Sequence, residues 1–302
     1  MPDLFGKTIT YITGKGGVGK TTTAAALALL AAEKGRRALV CELGTDGHLE
    51  RLFKTKIGHA PVRVAHNVDA ANFALSEGLI ATLSSVLPIE RVIRAVVQNR
   101  VLQMFMETAP SIREAVLLDA LGTQLASGKY DNIFVDMPAS GHAVTLLTVP
   151  DMVVRLVKRG PVAKKAESLA AQILNPANAQ LLLVALPEAL PVQETIELSK
   201  KLSDVTKLQQ VAIVLNSSAP HVVDPQEREL LDKLRTGEDS ELKRHADHLA
   251  LAAERDERAL ADLKAATGLP VIRLPRIEDV DDILGVAKEA LASSIISGGA
   301  LY

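Results

Sequence analysis

A glycine-rich loop near the amino terminus constrains this 302-residue chain more than any other feature. Residues 14–22 read GKGGVGKTT; they follow a β-branched run at residues 8–13 and lead into an Ala/Leu-rich segment at residues 22–34. Glycine permits backbone angles at which successive N–H groups point inward at an anion, and a helix that follows adds the positive end of its dipole. Strand, loop and helix in this order predict a phosphate-binding loop that opens a parallel α/β sheet.

The loop fits the pattern G-x-x-x-x-G-K-[ST], which assigns roles to its members. Lys20 is expected to reach the β- and γ-phosphates of a nucleotide, the Thr21 hydroxyl to bind Mg²⁺, and Thr22 to lie near the α-phosphate. The residues expected to surround the phosphates through the backbone are Gly14, Lys15, Gly16, Gly17, Val18 and Gly19.

The rest of the chain alternates between strand-like and helix-like segments. Apolar runs of strand length occupy residues 37–42, 130–135, 180–186, 210–215 and 270–274. Helical patterns lie at residues 145–174, with a break near Pro161, and within residues 224–267. We predict a doubly wound, mostly parallel α/β sheet in a single domain over residues 1–302, with ligands at the carboxyl ends of the strands.

A stretch without strand character interrupts this alternation. Over residues 75–127, apolar side chains such as Leu79, Leu83 and Val86 recur at helical spacing. The pattern predicts a helical subdomain inserted within the domain.

Composition excludes several classes of partner. The 34 basic and 36 acidic residues are nearly balanced, only 3% of residues are aromatic and Trp is absent, so no nucleic-acid partner is expected. No apolar run approaches the ~18–20 residues that span a bilayer, so we expect a cytoplasmic protein without stable membrane insertion. The one cysteine, Cys41, cannot form an internal disulfide and is expected to be buried in a strand.

Lys15, directly after the first glycine, marks the deviant form of the phosphate loop. The loop resembles that of the MinD, ParA, nitrogenase iron protein and ArsA class of dimeric P-loop proteins. This resemblance implies that Lys15 reaches across a dimer to the partner's nucleotide, where a cation stabilises the charge of the transferring phosphoryl group.

A second motif narrows the class. Residues 130–142 read YDNIFVDMPASGH, which resembles the switch II motif of the arsenite-pump ATPase and of the tail-anchored-protein targeting ATPases. The resemblance implies that Asp136 holds a Mg²⁺-bound water and that the Gly141 amide senses the γ-phosphate. It also implies that Asn216 reads adenine, with Pro275 and Arg276 beside the base; an Asn that ends a strand for turn reasons is the alternative.

The chain departs from this family where the family usually carries an Asp after the second strand. Aligned without a gap, Gly44 occupies the place of that acid, whose role is to orient the attacking water. Either Asp46 or Glu42 substitutes, or hydrolysis is slow or absent; we expect slow hydrolysis with Asp46 as the candidate. An ordinary Asp-Gly turn is the alternative for Asp46.

These observations predict an ATPase that uses ATP/ADP and Mg²⁺ and works as a homodimer, or as a heterodimer with a related ATPase. A hydrophobic protein client could bind the helical insertion near Met104, Phe105 and Met106, unless these side chains form its core. Cys41 alone cannot bind metalloid as the arsenite pump does, which disfavours arsenite transport. A nucleotide-dependent switch with little turnover, and a metabolic enzyme that activates a small substrate, are the alternatives.

Overall fold

The computed structural model describes residues 2–43, 47–73, 110–157, 161–219, 229, 233–236, 240–277 and 282–296. Within them, one sheet of eight strands forms the centre of the molecule. In chain order the strands are β1 (Ile9–Gly14), β2 (Ala38–Leu43), β3 (Val62–Ala65), β4 (Val68–Phe73), β5 (Asn132–Asp136), β6 (Ala179–Ala185), β7 (Gln209–Ser218) and β8 (Val271–Pro275).

Helices cover both faces of this sheet. In chain order they are α1 (Lys20–Glu33), α2 (His48–Phe53), α3 (Pro110–Ala126), α4 (Ser140–Val157), α5 (Pro161–Ile173), α6 (Ala189–Val205), α7 (Ser240–Thr267) and α8 (Ile283–Ile296). Side chains of α1, α2 and α8 pack in the core on one face, and side chains of α3 to α7 pack in the core on the other. Alternate residues of β1 serve both cores, since Tyr11 belongs to one and Ile12 to the other.

The strand order places the amino-terminal strand in the middle of the sheet. The order is β3-β4-β2-β5-β1-β6-β7-β8, and every neighbouring pair is parallel except the antiparallel pair β3–β4. The chain builds one side of the sheet from β1 to β5 and then crosses to build the other side from β6 to β8. In such a sheet ligands bind at the carboxyl ends of the strands, where the winding reverses.

The predicted fold class is confirmed, and most predicted strands lie within two residues of the observed ones. The predicted helical stretch at residues 145–174 is two helices, α4 and α5, and the second begins at Pro161. Cys41 is fully buried in β2, as expected.

The hairpin of β3 and β4 was not predicted. Its turn contains Asn67 in the left-handed conformation, with φ of 56°. Strand β4 places a charged residue, Asp69, among its buried residues, so neither alternation nor an apolar run marks it as a strand. The Asp69 carboxylate accepts hydrogen bonds from Arg63, Lys129 and Tyr130, which offsets the cost of burying it.

Part of the predicted helical subdomain lies outside the described residues. Helix α3 forms its carboxyl-terminal third, and Leu117, Leu118 and Leu121 of this helix are buried in the main core. Residues 75–109, with the proposed client contacts at Met104, Phe105 and Met106, are not described, so both the subdomain and its client stay predictions. Among the described helices, none combines the length and apolar character needed to cross a membrane.

Candidate functional site

The glycine-rich loop joins β1 to α1 at the centre of the sheet. At Gly14 a Cβ atom would lie 2.3 Å from the carbonyl oxygen of Val184 in β6, so only glycine fits where these two strands meet. Gly19 precedes α1 with φ of 94°, and a Cβ there would lie 2.1 Å from the side-chain nitrogen of Asn216. Packing against backbone requires glycine at Gly14, and the positive φ favours glycine at Gly19, where a Cβ would also displace the Asn216 side chain.

The two lysines of the loop face different directions. Lys20 Nζ donates a hydrogen bond to the carbonyl oxygen of Lys15 at 2.9 Å. Burial lowers the pKa of Lys20, and the nearby Asp136 carboxylate opposes part of this effect. Lys15 Nζ instead lies 2.5 Å from Oε1 of Glu194 on α6, and the Lys15 side chain is 50% exposed.

Thr21 and Asp136 form the candidate metal centre. Asp136 ends β5, which pairs directly with β1, and its Oδ2 accepts a hydrogen bond from Thr21 Oγ1 at 2.5 Å. Its other oxygen, Oδ1, is buried and has no hydrogen-bond partner among the described residues. Burial raises the pKa of Asp136 to about 6, although the Thr21 hydroxyl and Lys20 oppose this. A hydroxyl and a carboxylate with a spare oxygen suit a hard cation such as Mg²⁺, which binds oxygen.

An open cavity of about 470 Å³ lies over this pair. Its walls are the phosphate loop with the first turn of α1, the end of β2, helix α2 and the segment that follows β5. The residues named from the sequence that line it are Gly16, Gly17, Gly19, Lys20, Thr21, Thr22, Glu42 and Asp136. Cavities of this size bind small molecules, and phosphate-binding groups occupy one wall of this one.

Other predicted residues lie around this cavity without lining it. Val18 is buried beneath the loop, and Gly141 lies in the first turn of α4, just after the cavity wall formed by residues 137–139. Gly44 and Asp46 lie outside the described residues, so the role of Asp46 stays a prediction.

Glu42, the other acid considered for the water-orienting role, is buried and contacts the first residues of α2. It is only 4% exposed near the end of β2, and its Oε1 lies 2.8 Å from Nδ1 of His48. The backbone N–H groups of His48 and Leu49 also point at its carboxylate, at 3.3 and 3.4 Å. Glu42 therefore lines the cavity while its carboxylate binds the start of α2.

Asn216 connects the phosphate loop to the far side of the site. Its Nδ2 donates a hydrogen bond to the carbonyl oxygen of Val18 at 2.8 Å. Two residues later, Ser218 pairs with Pro275, and its carbonyl oxygen accepts a hydrogen bond from the backbone of Arg276. The structure thus brings Asn216, Pro275 and Arg276 to neighbouring strand ends beside the loop.

Because Asn216 holds the loop itself, its loss is expected to weaken the binding of any polyphosphate. Asn216→Ala is expected to lower the affinity for ATP and for inorganic tripolyphosphate by similar factors, about 3- to 10-fold for one lost hydrogen bond. Competition against a fluorescent ATP analogue measures both affinities. An Asn216 that only reads adenine would leave tripolyphosphate binding unchanged, which would contradict the tethering role.

Three residues that line or adjoin the site had no role assigned to them from the sequence. His48 lines the cavity, Glu194 pairs with Lys15, and Asp256 on α7 accepts the backbone N–H of Ala219 at the end of β7. His48 follows a strand end by only a few residues, which is a signal for a site position. No local signal marks Glu194 or Asp256, because their partners lie 179 and 37 residues away along the chain.

A parallel sheet whose central strand runs into such a loop, with an acid at the end of the next strand, defines a P-loop nucleoside triphosphatase. Comparison with known families places the chain within this class. The model of the anion-transporting ATPase family matches residues 7–165, and the chain belongs to that family.

Relatives of known description agree with this assignment. ATPase BagA of Mycobacterium tuberculosis is 29% identical over 91% of this chain and 87% of its own length. A putative arsenical pump-driving ATPase of Halobacterium salinarum is 26% identical over 70% of this chain and 35% of its own length. ATPase ASNA1 homolog 1 of Paramecium tetraurelia is 27% identical over 47% of this chain and 43% of its own length. The chain is an ATPase of the ArsA-like family.

Proposed function

We propose that the chain hydrolyses Mg²⁺-ATP slowly as a dimer in which Lys15 of each protomer reaches the nucleotide of its partner. The observation that carries this proposal is the position of Lys15. Its side chain does not line the cavity of its own chain, and its ammonium group lies against Glu194 on α6. A cation in this position is better placed to serve a neighbouring molecule than its own phosphate loop.

The surface around Lys15 supports a protein contact. Leu190 lies one turn before Glu194 on α6 and is 67% exposed, the highest value among the large apolar side chains of the described residues. An apolar residue beside a charged pair is typical of the edge between the core and rim of an interface. Closure of a dimer over this surface would bury Leu190 and transfer Lys15 from Glu194 to a phosphate.

Different residues of each chain bind different parts of the nucleotide. The backbone N–H groups of the loop and Lys20 hold the phosphates, and Asn216, Pro275 and Arg276 flank the base. Thr21 and Asp136 would hold Mg²⁺, which supplies charge neutralisation at the phosphates. Because Gly44 replaces the usual acid, we expect slow turnover, and we expect nucleotide state to act on the dimer through the segments near Gly44 and Gly141.

Glu194 competes with the partner's nucleotide for Lys15, which gives a direct test. Glu194→Gln removes one ion pair of partly exposed groups, worth about 0.4–1 kcal/mol, from each protomer. Because a dimer transfers two lysines, the gain is about 0.8–2 kcal/mol, and the ATP-bound dimer is expected to dissociate about 4- to 30-fold less readily. Sedimentation velocity with Mg²⁺-ATP and with Mg²⁺-ADP measures the dissociation constant. The same series should show specific activity rising with protein concentration.

Glu197→Gln is the matched control. It makes the same charge change about one turn further along α6, where Glu197 accepts a hydrogen bond from Gln193. The control is expected to leave the dimer unchanged. An ATP-bound protein that stays monomeric at all concentrations while its specific activity stays constant would contradict the dimer. ATP-driven dimers without turnover above that of Lys20→Ala would favour the switch alternative.

A further inference from the structure

Beside the nucleotide cavity, the end of β2 holds a glutamate–histidine pair. Glu42 stands in register with Asp136 on the neighbouring strand, so it lies at the same carboxyl edge of the sheet as the metal centre. The Glu42 side chain is 6% exposed, whereas that of His48 is 47% exposed and lines the cavity. Both side chains line the cavity, and the imidazole is the more exposed of the two.

The contacts of Glu42 fix the histidine in one orientation. Glu42 Oε1 lies 2.8 Å from His48 Nδ1, and the backbone N–H groups of His48 and Leu49 point at Oε1 and Oε2 of the same carboxylate. Leu49 is fully buried, so the first turn of α2 is anchored in the core. A carboxylate at Nδ1 selects the tautomer in which Nδ1 carries the proton, and this leaves a lone pair on Nε2.

We propose that His48 is a catalytic residue of ATP hydrolysis, with Nε2 accepting a hydrogen bond from the attacking water, and that Glu42 is its positioning residue. The water oxygen forms a bond to the γ-phosphorus while the bond from that phosphorus to the β–γ bridging oxygen breaks. The bridging oxygen keeps the electron pair and leaves with ADP. One proton of the water passes to another oxygen of the departing phosphate and the other stays on the attacking oxygen, so the product is dihydrogen phosphate and His48 only orients the water.

This assignment resolves a gap in the site. An attacking water needs a fixed acceptor; Gly44 occupies the place of the usual acid when the chain is aligned without a gap, and Asp46, the candidate from the sequence, lies outside the described residues. Glu42 lines the same cavity, but its carboxylate already accepts from the His48 ring and from the backbone N–H groups of His48 and Leu49, which directs it toward α2. His48 lines the same cavity as Lys20, Thr21 and Asp136. The proposal rests on hydrolysis by this chain, and it does not depend on the dimer.

Two substitutions at His48 separate catalysis from a purely structural role. In His48→Asn, the amide nitrogen can replace Nδ1 as the donor to Glu42, but nothing replaces Nε2. In His48→Gln, the longer side chain can place an amide oxygen near the position of Nε2. We expect His48→Asn to lower kcat by about 100-fold and to leave KM within about 2-fold, and His48→Gln to recover part of that loss.

The control is His245→Asn, which makes the same change at an exposed position of α7, where it should not alter kcat. Thermal unfolding and ATP affinity are measured on all variants, because loss of a helix cap alone would lower stability without a selective loss of kcat. Wild-type turnover above that of Lys20→Ala, combined with unchanged kcat in His48→Asn, would overturn the role of His48 alone. Wild-type turnover no greater than that of Lys20→Ala would overturn hydrolysis itself, and the proposal with it.

A spectroscopic readout tests the geometry without turnover. Long-range ¹H–¹⁵N spectra of the nucleotide-free protein at about pH 8, where free histidine is neutral, report the tautomer of each of the seven histidines. The signal of His48 is the one that is absent from the spectrum of His48→Asn. It should show the proton on Nδ1. Glu42→Gln should reduce that preference and lower kcat in parallel. An Nε2-protonated His48 in the wild-type protein would overturn the proposal.

Discussion

Mixing two inactive variants, Lys15→Ala and Lys20→Ala, is expected to restore ATP turnover to about a quarter of the wild-type value. Each variant alone is expected to lose about 1,000-fold or more in kcat, the range found when a cation acting on the transferring phosphoryl group is removed. In random pairs half of the dimers are mixed, and each mixed dimer has one complete site out of two. That site lies on the Lys15→Ala chain, which keeps Lys20 and receives Lys15 from its partner.

The geometry of the loop makes Lys15→Ala a clean variant. Lys20 Nζ bonds to the backbone carbonyl of Lys15, which alanine keeps, and the Lys15 side chain does not line the cavity. Lys15→Ala should therefore bind ATP with nearly wild-type affinity while losing turnover. Equilibrium binding of a fluorescent ATP analogue and steady-state phosphate release measure the two effects separately.

The control for mixing is a double variant, Lys15→Ala with Lys20→Ala. Mixed with Lys20→Ala, it forms no dimer in which a site has both lysines, so activity should stay at the level of the separate proteins. If Lys15 served the nucleotide of its own chain, mixing the two single variants would restore nothing. That outcome, together with ATP-driven dimers in sedimentation, would contradict the transfer of Lys15 between protomers.

The parts of the site that could be predicted from the sequence are those governed by local physics. Residues 14–22 run from the last residue of β1 through the loop into the first turn of α1, as predicted, because glycine spacing and a helix start act over a few residues. Asp136 was found at the end of a strand beside the loop for the same reason: an apolar run ends in an acid. The parallel sheet followed from the alternation of apolar runs and helical segments.

Contacts between distant segments could not be predicted in this way. Glu194 meets Lys15 only because β6 places α6 beside the phosphate loop, and no pattern near either residue encodes that meeting. Asn216 was expected to read a base, yet its amide donates to the loop at Val18, a contact that depends on the spacing of β7 from β1. Helix α2 is six residues long, too short for a periodic pattern to indicate it.

Asp136→Asn is expected to make the nucleotide-free protein more stable while abolishing its function. Burial raises the pKa of Asp136 to about 6, above the ordinary 3.8, so the ionised carboxylate costs folding free energy. A pKa raised from 3.8 to about 6 corresponds to about 3 kcal/mol, which the neutral amide should recover above pH 6. Turnover with Mg²⁺ should fall by at least about 100-fold, since the variant lacks the charge that faces the cation.

The sign of the pH dependence follows from the direction of the shift. Below about pH 4 the carboxyl is protonated in the folded and the unfolded chain, so it has no effect on the free energy of unfolding. Between about pH 4 and pH 6 only the unfolded chain releases the proton, so stability falls as pH rises, and it stays lower above pH 6. Urea unfolding in EDTA across this range should show a decline that Asp136→Asn lacks.

Asp131, five residues earlier in the chain, provides a control of opposite sign. Hydrogen bonds from Arg37 lower its pKa to about 2, so this carboxylate stabilises the folded chain above pH 4, and that contribution is lost as pH falls toward 2. Asp131→Asn should therefore lower stability at neutral pH and leave turnover unchanged.

Equal unfolding free energies for Asp136→Asn and the wild type at pH 7 would contradict the buried charge at Asp136. Retained Mg²⁺-dependent turnover in that variant would contradict its place in the metal centre, because Thr21 alone would then suffice to hold the cation.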